Sequence, residues 1–219
     1  VLQPNTMNVN KDKINVTDKY FGYRLEKTEP GNIPDVVNSG DTIKVYYVID
    51  DKNTKTLSYT VEYYKDGVKV DSDTQVEALT VQILAPNTMT VNKDKINVVN
   101  KYEGYVLEST NPETIPETVN TGAVIKVKYI RRSDLSYTVK YLEEGTNVEL
   151  ATEKVVDNMT FGESVTEQAI DVIGYNKVNP EETIVIAVSG NEITFYYTKR
   201  TDLSYRVEYY YNNVIDNEQ

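Results

Sequence analysis

Apolar and polar residues alternate with a period of two along much of the chain. In one segment Leu135, Tyr137, Val139 and Tyr141 fall on one side, with Ser136, Thr138 and Lys140 on the other. Further on, Ile193, Phe195 and Tyr197 alternate with Thr194, Tyr196 and Thr198, and Ile125, Val127 and Tyr129 repeat the phase. This spacing predicts half-buried β-strands, because successive side chains of a strand point to opposite faces. Lys65-Asp66-Gly67 and Glu144-Gly145 predict hairpin turns, where Gly accepts the positive φ such loops require, and Ser189-Gly190-Asn191 marks another. The stretches between are less regular. Lys93 to Tyr102 is a candidate short helix, and Ser164-x-x-Glu167 fits a helix capping box. The expectation is a mainly β chain (α+β), built of mixed or antiparallel sheets with at most one short helix in each.

The strands recur in a fixed order. Pro4-Asn-Thr-Met-Asn-Val-Asn-Lys-Asp-Lys-Ile-Asn-Val16 returns as Pro86 to Val98 with one change, Thr90 standing where the first has Asn8. Leu57-Ser-Tyr-Thr-Val61 returns at Leu135 to Val139 and, as Leu-Ser-Tyr-Arg-Val, at Leu203 to Val207. Gly22-Tyr23, Gly104-Tyr105 and Gly174-Tyr175 give a third landmark. A fourth consists of the runs Gly40 to Tyr47, Gly122 to Tyr129 and Gly190 to Tyr197. Landmarks that keep one order define a tandem array of small modules. Short polar joints precede each Leu-Ser-Tyr, which places complete modules at 57–134 and 135–202. Residues 1–56 are then the later part of a first module and 203–219 the opening hairpin of a further one. The alternative frame has three permuted modules, 1–82, 83–157 and 158–219.

Composition sharpens the fold class and closes most routes to catalysis. Val, Ile, Thr and Tyr number 30, 15, 24 and 19, against 6 Ala and 10 Leu, so sheet formers dominate and good helix formers are scarce. There is no Cys and no His, which removes disulfides, thiolate nucleophiles, imidazole bases and most transition-metal chemistry. The net charge of −11 repels phosphate backbones and anionic lipid heads, so neither nucleic acid nor a membrane surface is an expected partner. No apolar run is long enough to span a bilayer. No basic-then-apolar leader opens the chain at Val1, which reads as an excised piece of something longer or as a mature product.

Three segments together resemble the mucin-binding-protein (MucBP) repeat family. They are Tyr137-Thr-Val-Lys-Tyr-Leu-Glu-Glu-Gly145, then Gly162-Glu-Ser-Val-Thr-Glu167 followed by Ile173-Gly174-Tyr175, and finally Ile193-Thr-Phe-Tyr-Tyr-Thr-Lys-Arg200. Leu135 to Asp202 is the better match, and Leu57 to Asp134 keeps every landmark. The resemblance implies β-grasp-like modules strung in an elongated array along a surface adhesin of a Gram-positive bacterium. It also implies an extracellular, wall-attached parent and host mucin or other glycans as partners.

Candidate sites are few. Asp50-Asp51, Asp66 with Asp71 and Asp73, Glu143-Glu144 and Glu181-Glu182 supply oxygen ligands for Ca²⁺, but none has the alternating spacing that wraps one ion, so solvated loops are expected and no cofactor. Tyrosines on the apolar phase (Tyr59, Tyr63, Tyr129, Tyr137, Tyr141, Tyr197) are expected in the core. Off-phase Tyr46, Tyr64, Tyr196 and Tyr210 should point outward, where a ring stacks on a sugar face or pairs across strands. The opening and closing strands carry no inward Lys, so no internal Lys–Asn isopeptide bond is expected. Arg131-Arg132 and Lys199-Arg200 lie at joints, where pairing with nearby acids is expected. Two non-catalytic roles follow, contact with mucus glycans or a stalk that holds a binding tip. The strand pattern also leaves Ser204 to Tyr211 and the first module, Val1 to Thr56, unpaired, which predicts head-to-tail self-association by strand addition.

Overall fold

The computed structural model describes residues 5–17 and 19–215. The chain is mainly β, and the helices among the described residues are single 3-10 turns at Lys11–Lys13, Asp71–Asp73 and Lys93–Lys95. It divides into two compact units. One comprises Val1–Glu62, Asp71–Ile96 and Thr110–Lys126; the other comprises Tyr63–Val70, Asn97–Ser109 and Val127–Gln219.

In the second unit a four-stranded sheet runs in the order Glu149–Met159, Leu135–Glu143, Glu192–Lys199, Tyr175–Lys177. Its outer pairs are antiparallel and its central pair is parallel, with Val139 opposite Ile193 and Tyr141 opposite Phe195. A parallel pair cannot close through a tight turn. The residues between the two central strands supply the crossover, and part of that crossover is a second ladder, Ser164–Gln168 against Glu181–Val185. The predicted alternation holds here: Leu135, Tyr137, Val139, Tyr141, Ile193, Phe195 and Tyr197 are all buried. Ala169 and Ile186 complete that cluster, with Val165, Val172 and Ile184 packed against it. Each such side chain taken out of water is worth about 1.5–3 kcal/mol. Tyr141 and Phe195 stack with centroids 6.1 Å apart. Tyr197 donates its hydroxyl proton to the Ile170 carbonyl at 3.0 Å, so the ring's polar end is satisfied at the core's edge. Elsewhere in this unit Tyr63, Val127 and Tyr129 are fully buried. Asp66 and Gly67 both take positive φ, +47° and +79°, which gives a two-residue hairpin with Lys65 opposite Val68.

In the first unit the residues Thr54–Val61 pair antiparallel with Gln75–Gln82. Leu57, Tyr59, Val61 and Ile125 are buried, joined by Met89, Val91 and Ile96. Thr88–Thr90 pairs with Thr118–Asn120, and the matching segment Thr6–Asn8 pairs in the same way with Val36–Asn38. Tyr23–Glu29 pairs with Lys44–Ile49.

Two local expectations differ from what forms. Ser164-x-x-Glu167 does not cap a helix; Ser164 opens a strand opposite Val185. Val165 there faces the core, and a β-branched residue in a two-residue alternation outweighs the local capping signal. The candidate helix over Lys93–Tyr102 stops after one 3-10 turn, closed by the Ile96 amide on the Lys93 carbonyl at 3.0 Å. Beyond it Asn97 turns the chain. Its side-chain oxygen accepts the Val99 amide at 2.9 Å, while its own backbone amide and carbonyl bond the hydroxyls of Tyr63 and Tyr129. Those bonds take the backbone groups a helix would need.

Candidate functional site

The four off-phase tyrosines stand on four separate sheets. Tyr46 is half-buried and engaged. Its hydroxyl donates to Glu29 at 3.0 Å, and the Lys27 ammonium lies 4.8 Å from its ring centre. Hydrogen bonds from Lys27 and then Tyr46 hold the Glu29 carboxyl below its usual range. Tyr64 is half-buried opposite Lys69. Tyr196 is 38% exposed and lies opposite Leu142 in the parallel pair, so it offers an open ring beside an aliphatic neighbour. Tyr210 is exposed in a short hairpin and donates to Glu208 at 2.8 Å.

Several of the acidic-cluster residues are engaged within the protein. Asp66 pairs with Arg131 at 3.0 Å, Glu143 with Lys199 at 2.8 Å, and Glu182 accepts from Asn179 at 2.7 Å. Among the described residues no group of three or more His, Cys, Asp or Glu is placed to hold a metal ion. Arg132 forks onto Asp134, and Arg200 onto Asp202, each through two bonds of 3.0 Å or less, a local pairing at the joints. The Glu167 side chain is largely enclosed, at 15% exposure. Burial works to raise it, but hydrogen bonds from Lys154 at 2.6 Å and from Tyr137 hold it below its usual range. Burial, with the Glu167 carboxylate beside it, pushes the Tyr137 hydroxyl up to about 12. Burial likewise pushes Tyr129 up to about 12. These side chains are engaged with one another in ion pairs and hydrogen bonds.

The repeated Gly-Tyr landmark proves to be a turn bonded to the closing strand, which the strand pattern did not reveal. Gly22, Gly104 and Gly174 take φ of +79°, +75° and +82°. Their carbonyls accept the amides of Asp50, Arg132 and Arg200, each at 2.9 Å, and so tie the turn to the end of the closing strand. A residue from further along the chain then covers the glycine. A Cβ on Gly22 would come within 2.7 Å of Leu84, and one on Gly104 within 2.3 Å of the Phe161 ring. The backbone reinforces both contacts: the Ile83 amide donates to Asn53, and the Phe161 amide to Arg132. At Gly174 the space is open and Ile173 is fully exposed. The signal was present in the sequence as Leu84 and Phe161, apolar residues outside the strand alternation, each some distance before a later Gly landmark.

Fold and surface together define a mainly β chain of small repeated sheets held by structural side-chain chemistry. No family model matches the chain, and no curated protein matches it. Among solved structures it is similar to Mub-RV, at 16% identity over 66% of this chain and 99% of that one, with a TM-score of 0.23. It is also similar to the type 2 repeat of the mucus binding protein MUB from Lactobacillus reuteri, at 13% identity over 66% and 100%, TM-score 0.25. A third likeness is to Streptococcal High Identity Repeats in Tandem (SHIRT) domains 3-4 from a cell surface protein, at 11% identity over 65% and 96%, TM-score 0.31.

Proposed function

We propose that this chain is a non-catalytic, tandem-repeat segment of a bacterial cell-surface adhesin, carried outside the cell by a wall-attached parent, and that it spaces rather than binds. Its modules are β-grasp-like, with 57–134 and 135–202 as complete units, in keeping with the parallel pairing of Leu135–Glu143 and Glu192–Lys199. The MucBP-like motifs support the adhesin setting. The observation that carries the spacer role is the covered joint. Phe161 lies against Gly104, where its ring also meets Tyr105 edge-on with centroids 6.1 Å apart. A bulky ring on a bare glycine, flanked by main-chain bonds, restricts bending at a joint too short to flex as a linker.

Backbone relaxation by NMR tests this. In the wild-type chain, residues 97–109 and 127–131 should share one rotational correlation time with 135–199; in Phe161→Ala they should separate. Equal behaviour in the two proteins, or independent tumbling in the wild type, removes the spacer role. The alternative role is contact with mucin or other glycans, and Tyr196 favours it with its open ring beside Leu142. That role requires a signal on a glycan array that Tyr196→Ala abolishes.

A further inference from the structure

We infer that the module over 135–202 is built to carry tension, and that the parallel pair Leu135–Glu143 and Glu192–Lys199 is its mechanical clamp. The chain enters at Asp134, just before the opening strand, and leaves at Arg200, just after the closing strand. Because the two strands run the same way, these points lie at opposite ends of the pair. A pull on both draws the opening strand towards its N-terminus and the closing strand towards its C-terminus. The pair is then sheared along its own axis. Thr138 to Glu143 stand opposite Glu192 to Tyr197 at six successive positions, and the evenly spaced bonds of a parallel ladder take such a load together. In an antiparallel pair, entry and exit would lie side by side and the bonds would open one at a time.

The surroundings reinforce this pair. Main-chain bonds close the ladder at both ends, from the Thr138 amide to the Asn191 carbonyl at 3.0 Å and from the Glu144 amide to the Tyr197 carbonyl at 2.9 Å. Three side-chain links cross the same boundary. The Asn191 amide group donates to the Ser136 carbonyl at 3.0 Å, Lys140 pairs with Glu192 at 2.6 Å, and Lys199 pairs with Glu143 at 2.8 Å. Exposed ion pairs of this kind are individually worth little, so the ladder itself bears the load. Val139, Tyr141, Ile193 and Phe195, all buried, wall off one side of it. Water cannot replace the ladder's bonds from that side until the strands have slipped, and a bond broken without replacement costs far more than one exchanged for water.

The chain is also anchored just outside the clamp on each side. Before the entry point, the Arg132 amide donates to the Gly104 carbonyl and the Arg132 carbonyl accepts the Phe161 amide; after the exit point, the Arg200 amide donates to the Gly174 carbonyl. The preceding repeat carries one of the same closing bonds, since the Asp66 amide donates to the Tyr129 carbonyl at 2.9 Å, the counterpart of Glu144 and Tyr197. Tension on the chain rests on the spacer role proposed above. The clamp rests only on strand direction and register, so the two can fail separately.

Single-molecule pulling on the 219-residue chain tests the clamp by direction, since a chain with no Cys of its own takes handles only at introduced thiols. Ser133→Cys/Thr201→Cys loads the pair in shear. Ser133→Cys/Ser189→Cys places both handles at one end of the pair and Glu144→Cys/Thr201→Cys at the other, so each of these peels it. All four positions are exposed and outside strands, and either peeling variant suffices for the comparison. Forced unfolding reports the barrier along the pull rather than the equilibrium stability. At one loading rate the shear variant should therefore unfold at a force several-fold higher than the peeling variants. Its release should come in a single step that lengthens the chain by residues 134–200, at about 3.3–3.6 Å for each before subtracting the folded span. Equal forces in shear and in peeling, a higher force in peeling, or release in shear through a series of small steps overturns the inference.

Discussion

The first and second repeats carry almost the same residues and bury them very differently. Pro4–Val16 and Pro86–Val98 differ at one position, yet Met89, Val91 and Ile96 are core residues while Met7 is mostly exposed and Val9 and Ile14 only half-buried. Tyr102 packs edge-on against the buried Tyr129 at 5.2 Å; Tyr20 makes the same contact with Tyr47 at 5.1 Å, but both rings remain open to solvent in part. The local geometry is therefore encoded by the segment itself, and burial is not. What separates the two is the strand bearing Leu57, Tyr59 and Val61, which brings an apolar row into the second repeat. Strand sequences of this kind specify a half-buried surface and leave its completion to a neighbour.

Matched substitutions break this comparison most sharply. Tyr129→Ala removes a fully buried ring and the bond its hydroxyl makes to the Asn97 carbonyl at 2.7 Å. It should cost about 3–5 kcal/mol, as large-to-small core changes of aromatic residues do. Tyr47→Ala, at the same position of the first repeat, should cost about 1 kcal/mol, because the ring is already partly hydrated and less contact is lost. Native-state hydrogen exchange resolves the two, since each repeat reports through its own amides. Equal costs would mean that the missing row does not matter.

The joints give the next largest contrast. Gly104→Ala and Gly174→Ala both place a side chain at positive φ, which costs about 1–2 kcal/mol. At Gly104 the new methyl also meets the Phe161 ring, and overpacking of that kind adds about 1–3 kcal/mol. At Gly174 it meets nothing within 4 Å. The difference in melting temperature between the two variants isolates the joint from the turn, and Phe161→Ala should abolish that difference.

Alkaline pH probes the filled cores selectively. Tyr129 and Tyr137 keep their protons in the folded chain up to about 12, above the ordinary tyrosine value near 10. The folded state therefore holds more protons than the unfolded one between those values. Stability should be flat below pH ~10 and should fall as pH rises through ~12, by about 2 kcal/mol for each tyrosine. Glu167 acts at the acid end with the opposite sign. Its carboxyl is held low, so its contribution is present above the ordinary glutamate range and lost as pH falls through its folded value. Tyrosinate absorbance followed against unfolding tests the alkaline arm, and Tyr137→Phe should flatten part of it.

The alternation was legible because each face has one environment. Leu135, Tyr137, Val139 and Tyr141 lie inward as their phase predicts, and Asp66-Gly67 makes the hairpin its residues demand. What the chain did not disclose in advance depends on partners distant in sequence. Ser164-x-x-Glu167 reads as a cap until Glu181–Val185 arrives to pair with it, and Lys93–Tyr102 reads as helical until two tyrosine hydroxyls claim Asn97. Phe161 is an unremarked apolar residue in sequence and becomes a joint only because Gly104 is bare. Of the off-phase tyrosines Tyr46 and Tyr64 are half-buried and Tyr196 and Tyr210 exposed, and their neighbours, Glu29 for Tyr46 and Leu142 for Tyr196, follow from register.

The smallest effect sharpens the comparison within one strand. Tyr196 and Tyr197 are adjacent, and one peptide bond reverses the direction of the side chain. Tyr197 is fully buried and bonded to the Ile170 carbonyl, while Tyr196 is 38% exposed beside Leu142. Tyr197→Ala should therefore fall with the core losses described for Tyr129. Tyr196→Ala should change stability by about 0.5 kcal/mol or less, the range of surface substitutions that leave no cavity and no orphaned bond. Urea denaturation followed by the amides of Leu135–Glu143 measures both. A large loss at Tyr196 would show that its pairing with Leu142 is a structural contact in its own right, which would take away the open ring on which a glycan role depends.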